Sequence, residues 1–204
     1  RNIKNFKNKI YYISKYNVKI LINEANLFSK WYAEQNLKNS KKKIFTKKFD
    51  KIITKLVSKL QLKNDVFVHR DFHVSNLMLV RDEIGVIDSQ DALIGNRAYD
   101  LASLIDDVRF KTSKSFKKKV YDYYLKKQKN LIKNKFKNDF EILSVLRNLK
   151  IIGIFTRLSL RDGKKKYIKL IPYTWELINM RIKENEVFFD LKSLLSKNFE
   201  KKMK

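Results

Sequence analysis

Cysteine is absent from this chain of 204 residues, and histidine occurs only twice, as His69 and His73. Without cysteine the chain can form neither a disulfide bond nor a zinc site with thiolate ligands. Two histidines also argue against a metal site built from several imidazoles. The chain has one proline and four glycines. Because the glycines lie far apart, the sequence contains neither a GxGxxG nor a P-loop motif for phosphate groups.

Long apolar runs are absent as well, since no stretch approaches the ~18 residues that a membrane-spanning helix requires. The composition is strongly basic, with a formal net charge of +26. Nine of the 47 basic residues are arginine, and the lysines are spread through every segment. A nucleic-acid-binding surface concentrates arginine and aromatic residues instead. We therefore expect no specific nucleic-acid partner and no membrane association, and we expect a cytoplasmic protein.

The most informative stretch of the chain runs from residue 66 to residue 104. Its first part is a short apolar strand, residues 66–68, which leads into the tripeptide His69-Arg70-Asp71. Asn76 follows five residues after Asp71. Polar residues that directly follow a short strand can form a loop that carries functional side chains.

Two further apolar runs, residues 77–80 and 85–87, flank a polar turn and predict a β-hairpin. Asp88 comes directly after the second run. The hairpin would carry Asn76 at its entrance and Asp88 at its exit, so that the two side chains lie close together. Asp71 would lie in the loop just before the hairpin.

This arrangement suits phosphoryl transfer. Mg²⁺ takes oxygen ligands and keeps several waters, so the amide oxygen of Asn76 and the carboxylate of Asp88 would suffice to anchor it. A separate carboxylate, Asp71, could orient the attacking hydroxyl and accept its proton. The alternative is that all three are ordinary turn residues at strand ends. The complete set in this order favours phosphoryl transfer.

The same stretch resembles the aminoglycoside phosphotransferase family, whose fold is like that of the protein kinases. The segments HRDFHVSNLM, VIDSQDA and AYDLASLIDD are most similar to the bacterial sugar kinases of cell-wall recycling. Those enzymes phosphorylate the anomeric hydroxyl of N-acetylmuramate and N-acetylglucosamine. The flanking segments LINEANLFSKWY (21–32) and RNLKIIGIFTRLSLRDGKKKYI (147–168) are similar to helices of the same subgroup.

The resemblance implies a kinase that uses ATP and Mg²⁺, with Asp71 as the catalytic base and with Asn76 and Asp88 as metal ligands. It implies three residues that support the catalytic loop: His69, Arg70 and Asp100. Arg70 and Asp100 could meet as a charge-assisted pair that stiffens this loop. The alternative is that Asp100 simply caps its own helix, and both roles can hold at once.

The acceptor implied by the resemblance is a small N-acetylated amino sugar. Five residues are candidates for binding it: His73, Gln90, Asp91, Arg147 and Arg157. A polycationic aminoglycoside would require many Asp and Glu residues, whereas the helices after the loop are mainly basic. Alternatives are a kinase for choline or an aminoglycoside, and a non-catalytic binding or scaffold protein built on a kinase lobe.

These features predict an α+β fold, mostly helical, that corresponds to the C-terminal lobe of a protein-kinase-like fold, with a small hairpin carrying the catalytic and metal residues. Residues 1–204 would form this single lobe, with a catalytic core at 66–108 and a helical substrate side at 110–195. We expect the smaller nucleotide lobe to be absent and the chain alone to be inactive.

Apolar periodicity predicts helices from Val18, over 49–60, over 99–108, from Ser115, over 140–155, after Pro172 and over 187–195. Gly163 is expected to end one of them. Residues 1–20 are expected to be a loop or a frayed helix, and residues 36–44 a basic loop. The lysine triplets at 41–43, 117–119 and 164–166 are expected to be solvated.

Overall fold

The computed structural model describes residues 2–4, 10–183 and 185–203, most of which are helical. The α-helices are α1 (Val18–Ala25), α2 (Glu34–Asn36), α3 (Asn39–Val57), α4 (Ala98–Ile105), α5 (Lys114–Lys127), α6 (Lys133–Asp162), α7 (Ile171–Ile182) and α8 (Phe189–Asn198). A π-helical segment, Phe28–Ala33, leads into α2. Short 3₁₀ helices cover Val74–Asn76, Lys165–Leu170, Glu186–Phe188 and Glu200–Lys202. No helix in the described ranges is long and apolar enough to cross a membrane.

The strands form three antiparallel pairs: β1 (Asn2–Lys4) with β2 (Ile10–Tyr12), β3 (Asn64–Val68) with β6 (Leu93–Asn96), and β4 (Leu77–Val80) with β5 (Glu83–Val86). These strands are short and few beside the eight α-helices among the described residues, so the mostly helical fold expected from the sequence is confirmed. The β3–β6 pair joins the strand before the predicted loop to the segment that enters α4.

Helix α6 forms the centre of the core because apolar side chains recur along it at three- and four-residue steps. Phe140, Leu143 and Leu149 on this helix are buried. It packs against α4, α7 and the π-helical segment. It ends at Gly163, which has the left-handed φ of 66° that glycine adopts at helix ends.

A cluster of aromatic side chains joins the N-terminal helices to α7 and to the end of the chain. Its members are Phe28, Tyr32, Phe45, Phe49, Trp175 and Phe199. The ring centroids of Phe28 and Phe49 lie 5.3 Å apart, and those of Phe28 and Trp175 lie 5.6 Å apart. These separations are typical of favourable aromatic contacts. The cluster therefore fixes the segment after α1 against the helical core.

The predicted hairpin is formed by β4 and β5, with Leu77 opposite Val86. Arg81 and Asp82 make the turn with φ values of 48° and 64°. Positive φ at both turn residues is the geometry of a type I′ turn, which matches the twist of the two strands. The hairpin thus begins directly after Asn76.

Three local expectations were wrong. Residues 39–43 belong to α3 rather than to a basic loop over 36–44, because lysine is a good helix former even without an apolar stripe. Strands β1 and β2 replace the expected loop or frayed helix, and residues 5–9 lie outside the described residues. Lys117 is buried rather than solvated, with its Nζ 3.4 Å from Asp106 Oδ1.

Gly153 lets α6 touch the backbone at the start of the π-helical segment. A Cβ placed on Gly153 would lie 2.3 Å from Leu27 C and 2.7 Å from Phe28 N. Real Cβ atoms do not approach backbone atoms this closely, so any other residue must push the two elements apart. The position of α1 relative to α6 therefore depends on the missing side chain.

We predict that Gly153→Ala destabilises the protein by about 2–3 kcal/mol, because the two helical elements cannot both stay in place. Urea denaturation of the purified protein measures this change. Gly85→Ala is the matched control, since its Cβ would meet only ordinary contacts such as Met78 O at 3.6 Å. Its effect should stay within about 1 kcal/mol. Equal effects for the two variants would contradict the close contact.

Candidate active site

The loop after β3 is held by hydrogen bonds from its backbone to the carboxylate of Asp100 on α4. His69 N donates to Asp100 Oδ2 over 2.7 Å, and Arg70 N donates to Oδ1 over 3.1 Å. Arg70 has a φ of 72°, a left-handed conformation that few residues other than glycine adopt readily. The two hydrogen bonds stabilise this conformation at the residue just before Asp71.

Further hydrogen bonds tie the loop to the hairpin. His69 Nε2 lies 2.9 Å from Ile87 O, next to Asp88. Asn76 Nδ2 donates to Asp71 O over 2.9 Å, and Ile87 N donates to Asn76 O over 3.1 Å. These contacts join Asp71, Asn76 and the backbone of Ile87, the residue just before Asp88.

A cavity of about 390 Å³ lies next to this loop. Six of the residues predicted from the sequence line it: Arg70, Asp71, His73, Asn76, Asp88 and Arg147. Arg109, Lys150, Ile154 and Phe155, which sequence reasoning did not assign to the site, line it too. The structure thus brings the three residues of the phosphoryl-transfer pattern into one concave space.

The other predicted acceptor residues lie outside this lining. Gln90 Nε2 donates to Asp88 Oδ1, and the backbone oxygen of Asp91 accepts from Arg70 Nη1 over 3.0 Å. Arg157 lies on α6, more than two helical turns after Arg147, and its side chain is half-buried. Gln90 and Asp91 therefore hold the site residues in place in this structure rather than face the cavity.

Arg70 does not form the expected ion pair with Asp100. Its guanidinium donates instead to Glu24 on α1 and lies over the ring of Tyr16, 5.4 Å from the centroid. The carboxylate of Asp100 accepts hydrogen bonds from backbone amides of the loop. Asp100 therefore does not cap its own helix either. The expectation was wrong because it matched two residues by charge, whereas a nearer carboxylate comes from α1.

Glu24 lies on α1 and is not among the site residues predicted from the sequence. Its carboxylate accepts from Tyr16 Oη and from Arg70, and Lys150 Nζ lies 3.0 Å from Oε1. Burial disfavours its charged form, but the attraction of Lys150 and the hydrogen bonds from Tyr16 and Arg70 outweigh this and lower the pKa of Glu24. A Glu in an otherwise apolar stripe was the sequence feature that could have indicated this role.

His73 lies nearly buried at the loop, and its Nδ1 has no hydrogen-bond partner within the described structure. Burial, and then the positive charge of Arg109, lower the pKa of His73 from its ordinary value of 6.5. The imidazole is therefore neutral at neutral pH. A neutral imidazole can accept or donate one hydrogen bond to an uncharged group in the cavity.

The donor set of Asn76 and Asp88 fits Mg²⁺. Asn76 Nδ2 is used by Asp71 O, which leaves Oδ1 without a hydrogen-bond partner among the described residues. Asp88 supplies a carboxylate from a residue with a φ of 69°. No cluster of three or more His, Cys, Asp or Glu suited to a metal occurs in the described ranges. Two oxygen donors match an ion that keeps most of its ligands as water and phosphate.

Comparison with known proteins identifies the family of this chain. Residues 21–131, more than half of the chain, match the profile of the phosphotransferase enzyme family. The chain belongs to the phosphotransferase enzyme family. The resemblance found in the motifs around Asp71 and Asp88 is therefore confirmed at the level of the family.

The chain of this phosphotransferase family member is similar to proteins named N-acetylmuramate/N-acetylglucosamine kinase. It is 35% identical over 166 residues to the one from Neisseria meningitidis serogroup B, covering 78% of this chain and 50% of that protein. It is 34% identical over 120 residues to the one from Caulobacter vibrioides, covering 56% of the chain and 33% of that protein. It is 30% identical over 187 residues to the one from Pseudomonas aeruginosa, covering 89% and 55%. The matched region spans about half the length of these relatives or less.

We predict that Glu24→Gln destabilises the protein at pH 7 by about 3 kcal/mol, the order of magnitude for breaking a buried ion pair. Because the pKa of Glu24 is lowered in the folded state, its stabilising contribution is present above the ordinary value of 4.5 and is lost as the pH falls through the folded pKa. The difference between parent and variant should therefore shrink in acid. Urea denaturation at several pH values measures it.

The matched control for this prediction is Glu34→Gln. Glu34 pairs with Lys42 over 2.9 Å, but its side chain is 51% exposed. An exposed pair of this kind contributes about 0–1 kcal/mol. A Glu24→Gln effect as small as that of the control, or one that does not change with pH, would contradict the role of the buried carboxylate.

Proposed function

We propose that this chain carries the catalytic base and the metal ligands of an ATP-dependent phosphotransferase. The acceptor in this proposal is the anomeric hydroxyl of an N-acetyl amino sugar. The proposal rests on one observation, which is that Asp71, Asn76 and Asp88 line the same cavity. The names of the similar proteins support the same reaction.

In the proposed reaction Asp71 accepts the proton of the acceptor hydroxyl. The hydroxyl oxygen forms a bond to the γ-phosphorus of ATP while the bond from that phosphorus to the bridging oxygen breaks and ADP leaves. A positioned general base contributes about 10²- to 10⁴-fold to such a step. The hydrogen bonds of Asp100 to the two residues before Asp71 support this role, because they fix the backbone that leads into Asp71.

Asn76 and Asp88 would hold Mg²⁺, which supplies positive charge against the phosphate oxygens. The hydrogen bond from Asn76 Nδ2 to Asp71 O supports a close spacing of metal ligand and base. Gln90, which donates to Asp88 Oδ1, leaves the second carboxylate oxygen for the ion. These contacts give the two proposed ligands fixed positions.

The hairpin beside these ligands offers a surface for the nucleotide base. Leu79 and Ile84 face each other across β4 and β5 and are 72% and 63% exposed. An exposed apolar face next to a charged site suits a flat, partly apolar purine. Because the sequence has no glycine-rich phosphate loop, we propose that residues outside this chain cover the nucleotide. We expect residues 1–204 alone to bind ATP weakly and to show no activity.

The charge of the cavity supports an acceptor that is not a polycation. Arg109, Arg147 and Lys150 line it, against the two carboxylates of Asp71 and Asp88. Like charges in a shared cavity would disfavour an aminoglycoside or choline. A neutral or anionic sugar meets no such repulsion.

We predict that the complete protein containing this chain phosphorylates N-acetylmuramate or N-acetylglucosamine with a kcat/KM at least about tenfold above that for kanamycin or choline. The reason is the excess of cationic side chains in the cavity. Coupled measurement of ADP release with each acceptor tests this. A clear preference for kanamycin or choline would overturn the acceptor but not the reaction class.

We predict different consequences for Asp71→Asn and Asp88→Ala in the complete protein. Asp71→Asn should lower kcat by about 10²- to 10⁴-fold with little change in nucleotide affinity, since the base acts in the transition state. Asp88→Ala should weaken binding of Mg²⁺ with a non-hydrolysable ATP analogue as well as the rate, as titration calorimetry would show. Asp65→Asn, an exposed residue paired with Arg97 over 3.3 Å, is the control. Unchanged nucleotide affinity in Asp88→Ala would remove Asp88 from the metal site.

A further inference from the structure

Arg147 is a buried cation with very few contacts. The residue is 4% exposed on α6, yet it lines the cavity of Asp71. Its guanidinium, with five N–H donors, makes one hydrogen bond within the described structure, from Nη1 to the backbone oxygen of Asp106 over 3.4 Å. The carboxylate of Asp106 is not available to it, because Arg181 and Ser144 bind that carboxylate.

The other cations of the cavity have carboxylate partners. Lys150 and Arg70 pair with Glu24, and Arg109 Nη1 lies 3.6 Å from Asp107 Oδ1. Among the described side chains, no carboxylate oxygen lies within 4.0 Å of the Arg147 guanidinium. Arg147 therefore differs from its neighbours in having donors left over.

A buried guanidinium without an anion is unfavourable, since burial penalises the charged form. The same burial lowers the pKa of Arg147, and its electrostatic interactions with Tyr99, Asp107 and Asp71 offset this only in part. Arginine recognises a carboxylate through two parallel hydrogen bonds. A cavity that holds unused guanidinium donors is thus suited to a ligand that brings its own carboxylate.

Apolar side chains from the same helix surround this group. Ile151, Ile154 and Phe155 line the cavity beside Arg147, whereas Asn76 and Asp88, the proposed metal ligands, flank the hairpin. An apolar surface next to a charged group fits a sugar ring that carries an acidic substituent. The phosphate groups of the donor would instead lie with the metal at the hairpin.

We propose that Arg147 binds a carboxylate of the acceptor and thereby makes the site selective for N-acetylmuramate over N-acetylglucosamine. The two sugars differ by a lactyl ether, which ends in a carboxylate and is present only in N-acetylmuramate. This inference rests on the proposed function and concerns the substrate of that same site. It makes Arg147 a residue that determines specificity rather than one that takes part in the transfer.

The test compares kcat/KM for the two sugars in the complete protein and in Arg147→Met. We expect the value for N-acetylmuramate to fall about 10- to 100-fold, mainly through KM, as for loss of a charge-assisted hydrogen bond. The value for N-acetylglucosamine should change by less than about threefold. Arg147→Lys keeps the charge without the paired donors and should give an intermediate preference. Arg161→Met is the matched control, because Arg161 is exposed on the same helix and pairs with Asp162.

The ratio of the two kcat/KM values does not depend on the fraction of folded protein, so it can be read even from a less stable variant. A ratio in Arg147→Met equal to that of the parent would overturn the proposal, and so would equal losses for both sugars, which would place Arg147 on the transferred phosphate or on the loop. If the parent protein phosphorylates neither sugar, that result contradicts the proposed function itself, and with it the role of Arg147.

Thermal unfolding adds a second readout. The melting temperature of Arg147→Met should not fall, because the substitution removes an unpaired buried charge; a clear fall would indicate a structural role and contradict the proposal.

Discussion

Carboxylates, rather than a strand ladder, hold the backbone between His69 and Val74. Asp100 on α4 accepts the amides of His69 and Arg70, and Asp107 just after that helix accepts the amide of Val74 over 3.2 Å. Each end of the loop is therefore fixed to the same helical region. Because Arg70 adopts a left-handed φ that costs on the order of 1 kcal/mol or more, the loop conformation requires such partners. The direction of the Asp71 side chain, and with it the proposed chemistry, depends on these few hydrogen bonds.

The sequence was sufficient to predict the local structure around the candidate site. Asn76 and Asp88 lie at the two ends of a hairpin, which could be predicted from two short apolar runs on either side of a polar turn. The register of a hairpin with a two-residue turn leaves little freedom, so the two residues are brought together by short-range structure alone. Helix α6 was predicted for the same kind of reason, because its apolar period is long and ends at Gly163. These conclusions required no knowledge of distant contacts.

The sequence was insufficient where the contact joins distant segments. Glu24 and Arg70 are 46 residues apart, and their pairing depends on the position of α1, which is set by Gly153 and the aromatic cluster around Phe28. Neither periodicity nor charge specifies that position, so Arg70 was given the wrong partner. Lys117 was assigned to solvent for a related reason. It belongs to a run of three lysines, and only the packing of α5 against Asp106 separates the buried member from its exposed neighbours.

The net charge of +26 does not indicate what the site binds, whereas the burial of individual cations shows which of them need an anionic partner. An exposed lysine is solvated and screened, so its presence needs no partner and carries no information about ligands. A buried cation does need one, and the chain supplies Glu24 for Lys150 and Asp106 for Arg181. By this criterion Arg147 stands out among the cations that line the cavity of Asp71, because its guanidinium has only a carbonyl oxygen at 3.4 Å. An arginine with unused donors, on the same helix as the apolar side chains that line this cavity, is the arrangement expected if an anionic group of the proposed acceptor completes the site.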